Sequence, residues 1–280
     1  MSNISGAIMQ PAPRVDIMNP QRLFVGVWKE ILPLLACLLV GCGSEVLEET
    51  TEQTYKIDPT ASISISNVDG SVLVCGWDRA EMTVEATKRA YSKSQLNKID
   101  IVISVQPGSA SIQTKFPPRP KWSFSDRSGT VDYIVLIPQT ANIARLELET
   151  GELLIRDMRG GLSRAELGNG VLYVHNCFCD LDLKVHRGAL GAFFDWWEPK
   201  KFLLNAEIQN AKSLFMLPGE ASFHLMAETE TGNIDNDFAE QEERVPGGVS
   251  KIDKIIGEAP NAEIKIHAVD GNIEISEQNP

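Results

Sequence analysis

The sequence predicts an all-β protein made of stacked repeats, and three observations predict it. Beyond Thr54 helical periodicity almost vanishes, and apolar and polar side chains alternate with period two, the mark of half-buried strands. The alternation is broken at spaced glycine turns. Gly151, Gly170 and Gly188 lie 19 and 18 residues apart, and Gly232 and Gly271 follow after 44 and 39, close to two coils of about 20 each. Finally, Ile63–Val74 matches Ile264–Ile275 position by position through a shared Val-Asp-Gly. Ordinary strand alternation would not reproduce that tripeptide in register. In such a stack each coil is too thin to bury its own apolar face, and the next coil buries it.

The elements follow in chain order. Arg22 and Lys29 precede a ten-residue apolar run, Ile31–Val40. At about 1.5 Å per residue it spans about 15 Å, the length of a signal-peptide h-region and half of what crosses a bilayer. It ends in Leu39-Val40-Gly41-Cys42, which resembles the bacterial lipobox. Gly41 is small enough for a cleavage pocket, and the Cys42 thiol takes the diacylglyceryl group in that class. Residues 1–41 are therefore expected to be a lipoprotein signal peptide, with Met18 as an alternative start. Removing them takes away three basic and two acidic residues, so the net charge of -12 becomes -13. Gly43, and not Asp, follows the lipidated position, which in this class points to the outer membrane; whether the protein faces the periplasm or the surface stays open. Residues 42–53 carry Glu45, Glu48, Glu49 and Glu52 with almost no apolar content and are expected to be an acidic, solvated tether, up to about 36 Å long.

Residues 54–277 are expected to form one β-repeat domain, an N-terminal β part (54–138) and later repeats (139–277) sharing a core. Each unit reads strand, glycine turn, strand: Leu146–Glu149 turns into Leu153–Ile155, Leu181–Val185 into Ala189-Leu190, Ile264–Ile266 into Ile273–Ile275. Glycine makes positive φ cheap there, and neighbouring Asp or Asn tolerates it. Leu148, Leu183, Ile234 and Ile266 are expected inside, and Glu147, Glu149, Asp182 and Lys265 outside. Three stretches break the pattern: Phe116–Asp126, Gly191–Lys201 and Glu240–Gly248.

Candidate chemistry is sparse. His175, Cys177 and Cys179 alternate on a strand read as Val171–Cys179 and would share one face, a soft-metal pattern. No fourth ligand is evident, so inward packing of the thiols is the reading, and no metal or cofactor is expected. A Cys177–Cys179 disulfide sits at the edge of allowed geometry. Asp180 with Asp182, and Glu147 with Glu149, repeat the carboxylate spacing of solenoid glycan-cleaving enzymes, but alternating carboxylates are also what a solvated face carries. The sequence has no Ser/His/Asp elbow, HExxH, phosphate-cradling glycine loop or nucleotide fingerprint, so no catalytic residue is expected. Phe193, Phe194, Trp196 and Trp197 put four aromatics in five residues. They either cap the stack or form a contact site for a glycan or an envelope protein; Trp122 and Phe124 would join such a site. The net charge of -12 and pI near 4.9 exclude a nucleic-acid binder and electrostatic docking on anionic lipid.

The Asn-Val-Asp-Gly-Ser-Val turn at 67–72 followed by Gly76-Trp77, the Val131–Pro138 segment, the serial glycine turns and Gly257–Ile264 together resemble the adhesin-type β-repeat domains of bacterial envelope proteins (the DUF4097 type) over about 60–276. That resemblance implies a single-stranded, right-handed, toast-rack-like β-solenoid without catalytic residues. The resulting expectation is a lipid-anchored envelope protein that binds or scaffolds. The alternatives are a carbohydrate-active β-solenoid enzyme and an envelope-stress or regulatory accessory lipoprotein.

Overall fold

The computed structural model describes residues 46–117, 129–238, 243–244, 249–258 and 260–278. The expected signal peptide, Cys42, Trp122 and Phe124 lie outside the described residues. Residues 45–280 group as one compact unit. In chain order the elements are β1 (Leu47–Lys56), β2 (Ser62–Trp77), β3 (Glu81–Ala90), the one-turn helix α1 (Lys93–Leu96), β4 (Asp100–Gln106), β5 (Ser109–Lys115), β6 (Thr130–Pro138), β7 (Asn142–Arg156), β8 (Leu162–His175), β9 (Asp180–Phe193), β10 (Phe202–Pro218), β11 (Phe223–Thr231), β12 (Ile234–Asn236), β13 (Glu243–Arg244), β14 (Ser250–Ile256), β15 (Ala262–Asp270) and β16 (Ile273–Gln278). All strands belong to one mixed, 16-stranded sheet.

The long strands are bent in the middle, and the burial pattern shows where. In β8 the inward residues are Ser163, Ala165 and Leu167, then Leu172 and Val174. The parity switches from odd to even across Gly168–Val171, so both arms turn their apolar side chains to the same interior. The other long strands do the same around their own turns. The arms thus form two walls facing each other, with the bend as their shared edge.

At that edge the turns stack in register. Gly70 pairs with Gly151, Gly151 with Gly170, Gly170 with Gly188, and Gly188 with Ala211. Gly151 shows why glycine is needed: its φ is +135°, and a Cβ there would sit 1.7 Å from the Gly70 carbonyl oxygen. A residue with this φ aims its side chain along the stacking axis, into the rung above. Ala211 holds the same place in the ladder without a positive φ, and it carries a Cβ.

Two expectations need correction, the first only in part. The step of 44 does span two coils, with β10 and its Ala211 as the rung between Gly188 and Gly232, but the step of 39 does not. The last rung in sequence, β15–β16, then inserts between β10 and β11–β12: β15 pairs parallel with β10 on one side and β11 on the other. Every rung carries the same inward pattern, so spacing alone does not encode their order. The second correction concerns the tether. Leu47–Lys56 is a strand, antiparallel to β3 from Leu47–Ala90 to Lys56–Glu81. It lacks apolar alternation because it is an edge strand exposed along most of its length. Thr50–Thr87 and Thr54–Thr83 hydroxyl bonds of 2.9 Å and a Lys88–Glu49 bridge of 2.8 Å lie across it. Charge along an edge also discourages pairing with another chain.

The ends of the stack are closed by strands that leave the parallel pattern: β5 and β6 lie parallel to β2 but pair antiparallel with β4 and β3. One arm of β2 pairs with β5, which pairs with β4, while the other pairs with β6, then β3 and β1. β14 covers β11 at the far end. A single hydrophobic cluster runs from Ile57 to Ile275, so the N-terminal part and the repeats share one core, as expected. Leu148, Leu183, Ile234 and Ile266 lie in it. Of the residues expected outside, Glu149 is exposed, and Glu147, Asp182 and Lys265 are half-covered by their lateral neighbours.

Candidate functional site

Opposite the glycine edge the chain turns a second corner, using left-handed residues again. Asp157 and Asn176 have φ of 58° and 51°, which short polar side chains tolerate. Asn176 ends β8 and breaks the alternation read through Val171–Cys179. His175 therefore faces outward, while Cys177 and Cys179 turn into the core. The Cys177 thiol donates to the carbonyls of His175 and Ile155 at 3.4 and 3.6 Å, and Cys179 lies 3.6 Å from the Ser163 hydroxyl. Burial pushes the Cys177 thiol up to about 12 and Cys179 to about 11. The three residues do not share a face, and among the described residues no group of three or more His, Cys, Asp or Glu is placed to hold a metal.

The four aromatics of the inserted loop part company. Phe194 is buried at 1% exposure and Trp197 is half-buried. Both close the wide side of the core around Phe178, with Trp197 5.8 Å from Phe194, 5.6 Å from Phe202 and 5.9 Å from Phe223. Trp196 is 43% exposed; it leans on Phe178 at 6.1 Å, and the Arg159 guanidinium lies 5.9 Å from its ring. Phe193 points to the other side of the strand, onto the outer face of the second wall.

That outer face carries a feature the sequence reading missed. Ile134, Leu73, Leu154, Tyr173, Gly191 and Leu214 are laterally paired across six neighbouring strands, an apolar row facing solvent. Ile134 and Tyr173 are each 41% exposed. At about 4.8 Å between strands the row runs about 24 Å. Next to it, two residues along each strand, run Arg156, His175, Phe193 and Met216. Gly191 makes a hollow in this surface: a Cβ there would lie 2.6 Å from both the Tyr173 and Phe193 rings. The two rings lean over it edge to face, centroids 5.5 Å apart. The readable signal was the glycine at the place where β9 should present a side chain.

Around these rings lies an open groove of about 370 Å³. Its floor is apolar (Leu154, Tyr173, Phe193, Met216) and its end is polar (Arg156, His175, Asp195, Gln278). Asp195 accepts from Asn176 Nδ2 at 3.0 Å and sits 2.9 Å from His175 Nε2. Those bonds, that from Asn176 foremost, hold its carboxyl below the usual carboxylate range. Arg156 lies 4.0 Å from Asp157.

The outer face of the first wall is polar instead. Arg164 reaches Asp182 at 3.5 Å and Lys184 reaches Glu207 at 2.7 Å, while Asp180 accepts from the Leu203 amide at 2.9 Å. Asp180 and Asp182 thus spend acceptors on neighbouring strands, while Glu147 pairs with Arg145 on its own strand. His186 lies 2.8 Å from Glu166 and His224 2.7 Å from Asp253.

The chain matches no family model and no curated protein. Solved structures do match it in part. A candidate cell adhesion protein from Clostridium sporogenes is 13% identical, with 82% of this chain and 100% of that one covered and a TM-score of 0.46. A candidate adhesin from Bacteroides fragilis is 8% identical over 81% and 97%, with a TM-score of 0.28. A candidate lipid-binding protein from Parabacteroides distasonis is 9% identical over 82% and 97%, with a TM-score of 0.23. With identities this low and TM-scores below 0.5, the functional reading rests on the chain's own residues.

Proposed function

We infer that this protein is a lipid-anchored, non-catalytic binding module of the bacterial envelope, a right-handed β-solenoid of adhesin type carried on an acylated Cys42. The observation that carries the binding reading is the outer face of the second wall. A rigid, hydrogen-bonded surface presents a solvent-facing apolar row ending in a groove with charged and polar groups, the composition of a ligand site. The anchor rests on Leu39-Val40-Gly41-Cys42 behind its ten-residue apolar run. Firm anchoring takes more than one acyl chain, which this modification class supplies. β1 begins at Leu47, so four residues, 43–46, would separate the acylated Cys42 from the folded body, a reach of about 17 Å over five Cα steps. The body would thus stand close to the bilayer. Among the described residues that line the groove Asp195 is the one carboxylate, and it is held by Asn176 and His175, whereas glycoside cleavage takes a pair of carboxylates across the bond; this favours binding over hydrolysis.

The test is fractionation of cells making the full chain. Wild type is expected in the membrane fraction, lacking residues 1–41 and acylated at Cys42 by mass spectrometry. Cys42→Ser is expected to be uncleaved by the lipoprotein route and free of acyl mass. An acyl-free wild type, processed elsewhere or not at all, would refute the anchor.

A further inference from the structure

We propose that the Tyr173–Phe193 groove is a carbohydrate site, which takes a pyranose ring of an extended glycan with the ring's apolar face on Tyr173. The proposal rests on the binding reading above and names its ligand class; it does not depend on the anchor. Three observations carry it. The first is that the rings lie down. A flat sheet ordinarily makes its outward side chains stand side by side, but Gly191 leaves a vacancy that Tyr173 and Phe193 lean across, the nearest ring atoms 2.6 Å from where a Cβ would be. Tyr173 keeps 41% of its surface open, so part of its ring is offered to solvent. A sugar ring's C–H face needs such a platform.

The second observation is the chemistry at the groove's end. Arg156, His175, Asp195 and Gln278 meet there, giving guanidinium and amide donors beside carboxylate and amide acceptors. Hydroxyl groups on adjacent ring carbons each need a donor and an acceptor, and this mixed set supplies both. A purely apolar occupant, such as an acyl chain or a second copy's hydrophobic face, would leave those groups desolvated and unmatched. Asp195 is already oriented by Asn176 and His175, so little ordering is left for binding. The third is shape: the groove is open, and from its floor at Leu154 the apolar row runs on across the sheet surface to Leu73 and Ile134. The row's length of about 24 Å suits a chain of sugars.

The experiment uses the full-length protein in detergent on a printed array of neutral, acetamido and uronate pyranosides. Retention on at least one class is expected. Tyr173→Ala is expected to weaken it by at least about tenfold, and Tyr173→Phe to keep it, since the platform remains. Arg156→Gln is expected to weaken uronate glycans more than neutral ones if the ligand is anionic, and all classes equally if it is neutral. Gly191→Val, which fills the hollow, is expected to abolish retention; should it unfold the protein, Tyr173→Ala with unchanged thermal melting decides alone. Wild type retained on no pyranoside overturns the proposal, as does Tyr173→Ala retained like wild type. If sedimentation shows a dimer that Tyr173→Ala dissociates, with glycan retention absent, the groove is a self-association face and the proposal fails. Release of new reducing ends from a retained glycan would keep the carbohydrate site and refute the non-catalytic reading.

Discussion

Replacing Gly151 by Ala tests how the stack is held. At φ +135° an L residue is strained by about 1–3 kcal/mol. Its Cβ would sit 1.7 Å from the Gly70 oxygen, half an ordinary contact distance. That neighbour is backbone, so relief requires one rung to move off the other, breaking bonds or opening a gap. Overpacking of this kind costs about 1–3 kcal/mol more. Together the loss is about 2–6 kcal/mol, against a total stability of about 5–15 kcal/mol for a protein of ordinary stability. Urea unfolding followed by far-UV circular dichroism measures it. Glu149→Ala, two residues away and exposed, is the control and should stay within about 0.5 kcal/mol. A Gly151→Ala loss under about 1 kcal/mol would refute the argument, since it would mean the rungs slide apart freely at this edge.

The loop aromatics should separate by role. Trp197→Ala, which removes a ring packed on Phe194, Phe202 and Phe223, should cost about 2–4 kcal/mol by thermal melting, and Trp196→Ala less than about 1 kcal/mol; equal losses would put Trp196 in the core as well. Iodoacetamide mapping by mass spectrometry of native protein should find Cys75 modified before Cys177 and Cys179. Burial raises all three thiols, but Cys75 alone among them is partly exposed; early labelling of Cys177 would contradict the inward corner. The His186 imidazole should titrate above its usual value near 6.5, because Glu166 and then Gln209 bond its protonated form. A raised folded value means the pair's stabilisation is full below about 6.5 and is lost as pH rises through the raised value. Glu166→Gln should lower the midpoint in an NMR titration, and no movement would detach the two groups.

The repeats were legible because glycine and burial leave direct marks. Gly151, Gly170 and Gly188 are stacked as their spacing indicated, and the two best-matching segments are equivalent rungs. What stayed hidden was whatever a local pattern does not carry. Nothing in Phe202–Pro218 marks it as a rung by glycine, because Ala211 bends without positive φ. β1 escaped notice because an edge strand built on Thr–Thr and ion pairs needs no apolar face. One left-handed residue, Asn176, reversed the facing of two cysteines relative to His175, and alternation arguments fail past such a residue. The groove was missed because Tyr173, Phe193, Arg156 and Asp195 come from three rungs and meet only through register.

The placing of β15–β16 between β10 and β11–β12 has a consequence for assembly. In a stack laid down in chain order, each rung can dock on its predecessor as it is made, and the growing edge is always the newest one. Here β11 has no finished neighbour when it is made. Its parallel partner, β15, begins only about thirty residues later, and the bare edge of β10 waits for the same segment. Chains are made from the N-terminus at about 5–20 residues per second. Residues 262–278 therefore complete two interfaces at once, each with long sequence separation, which makes closure intrinsically slow. The β15–β16 rung acts as a keystone: until it seats, two parallel edges stand open to mispairing, and once seated it locks the end of the stack from within.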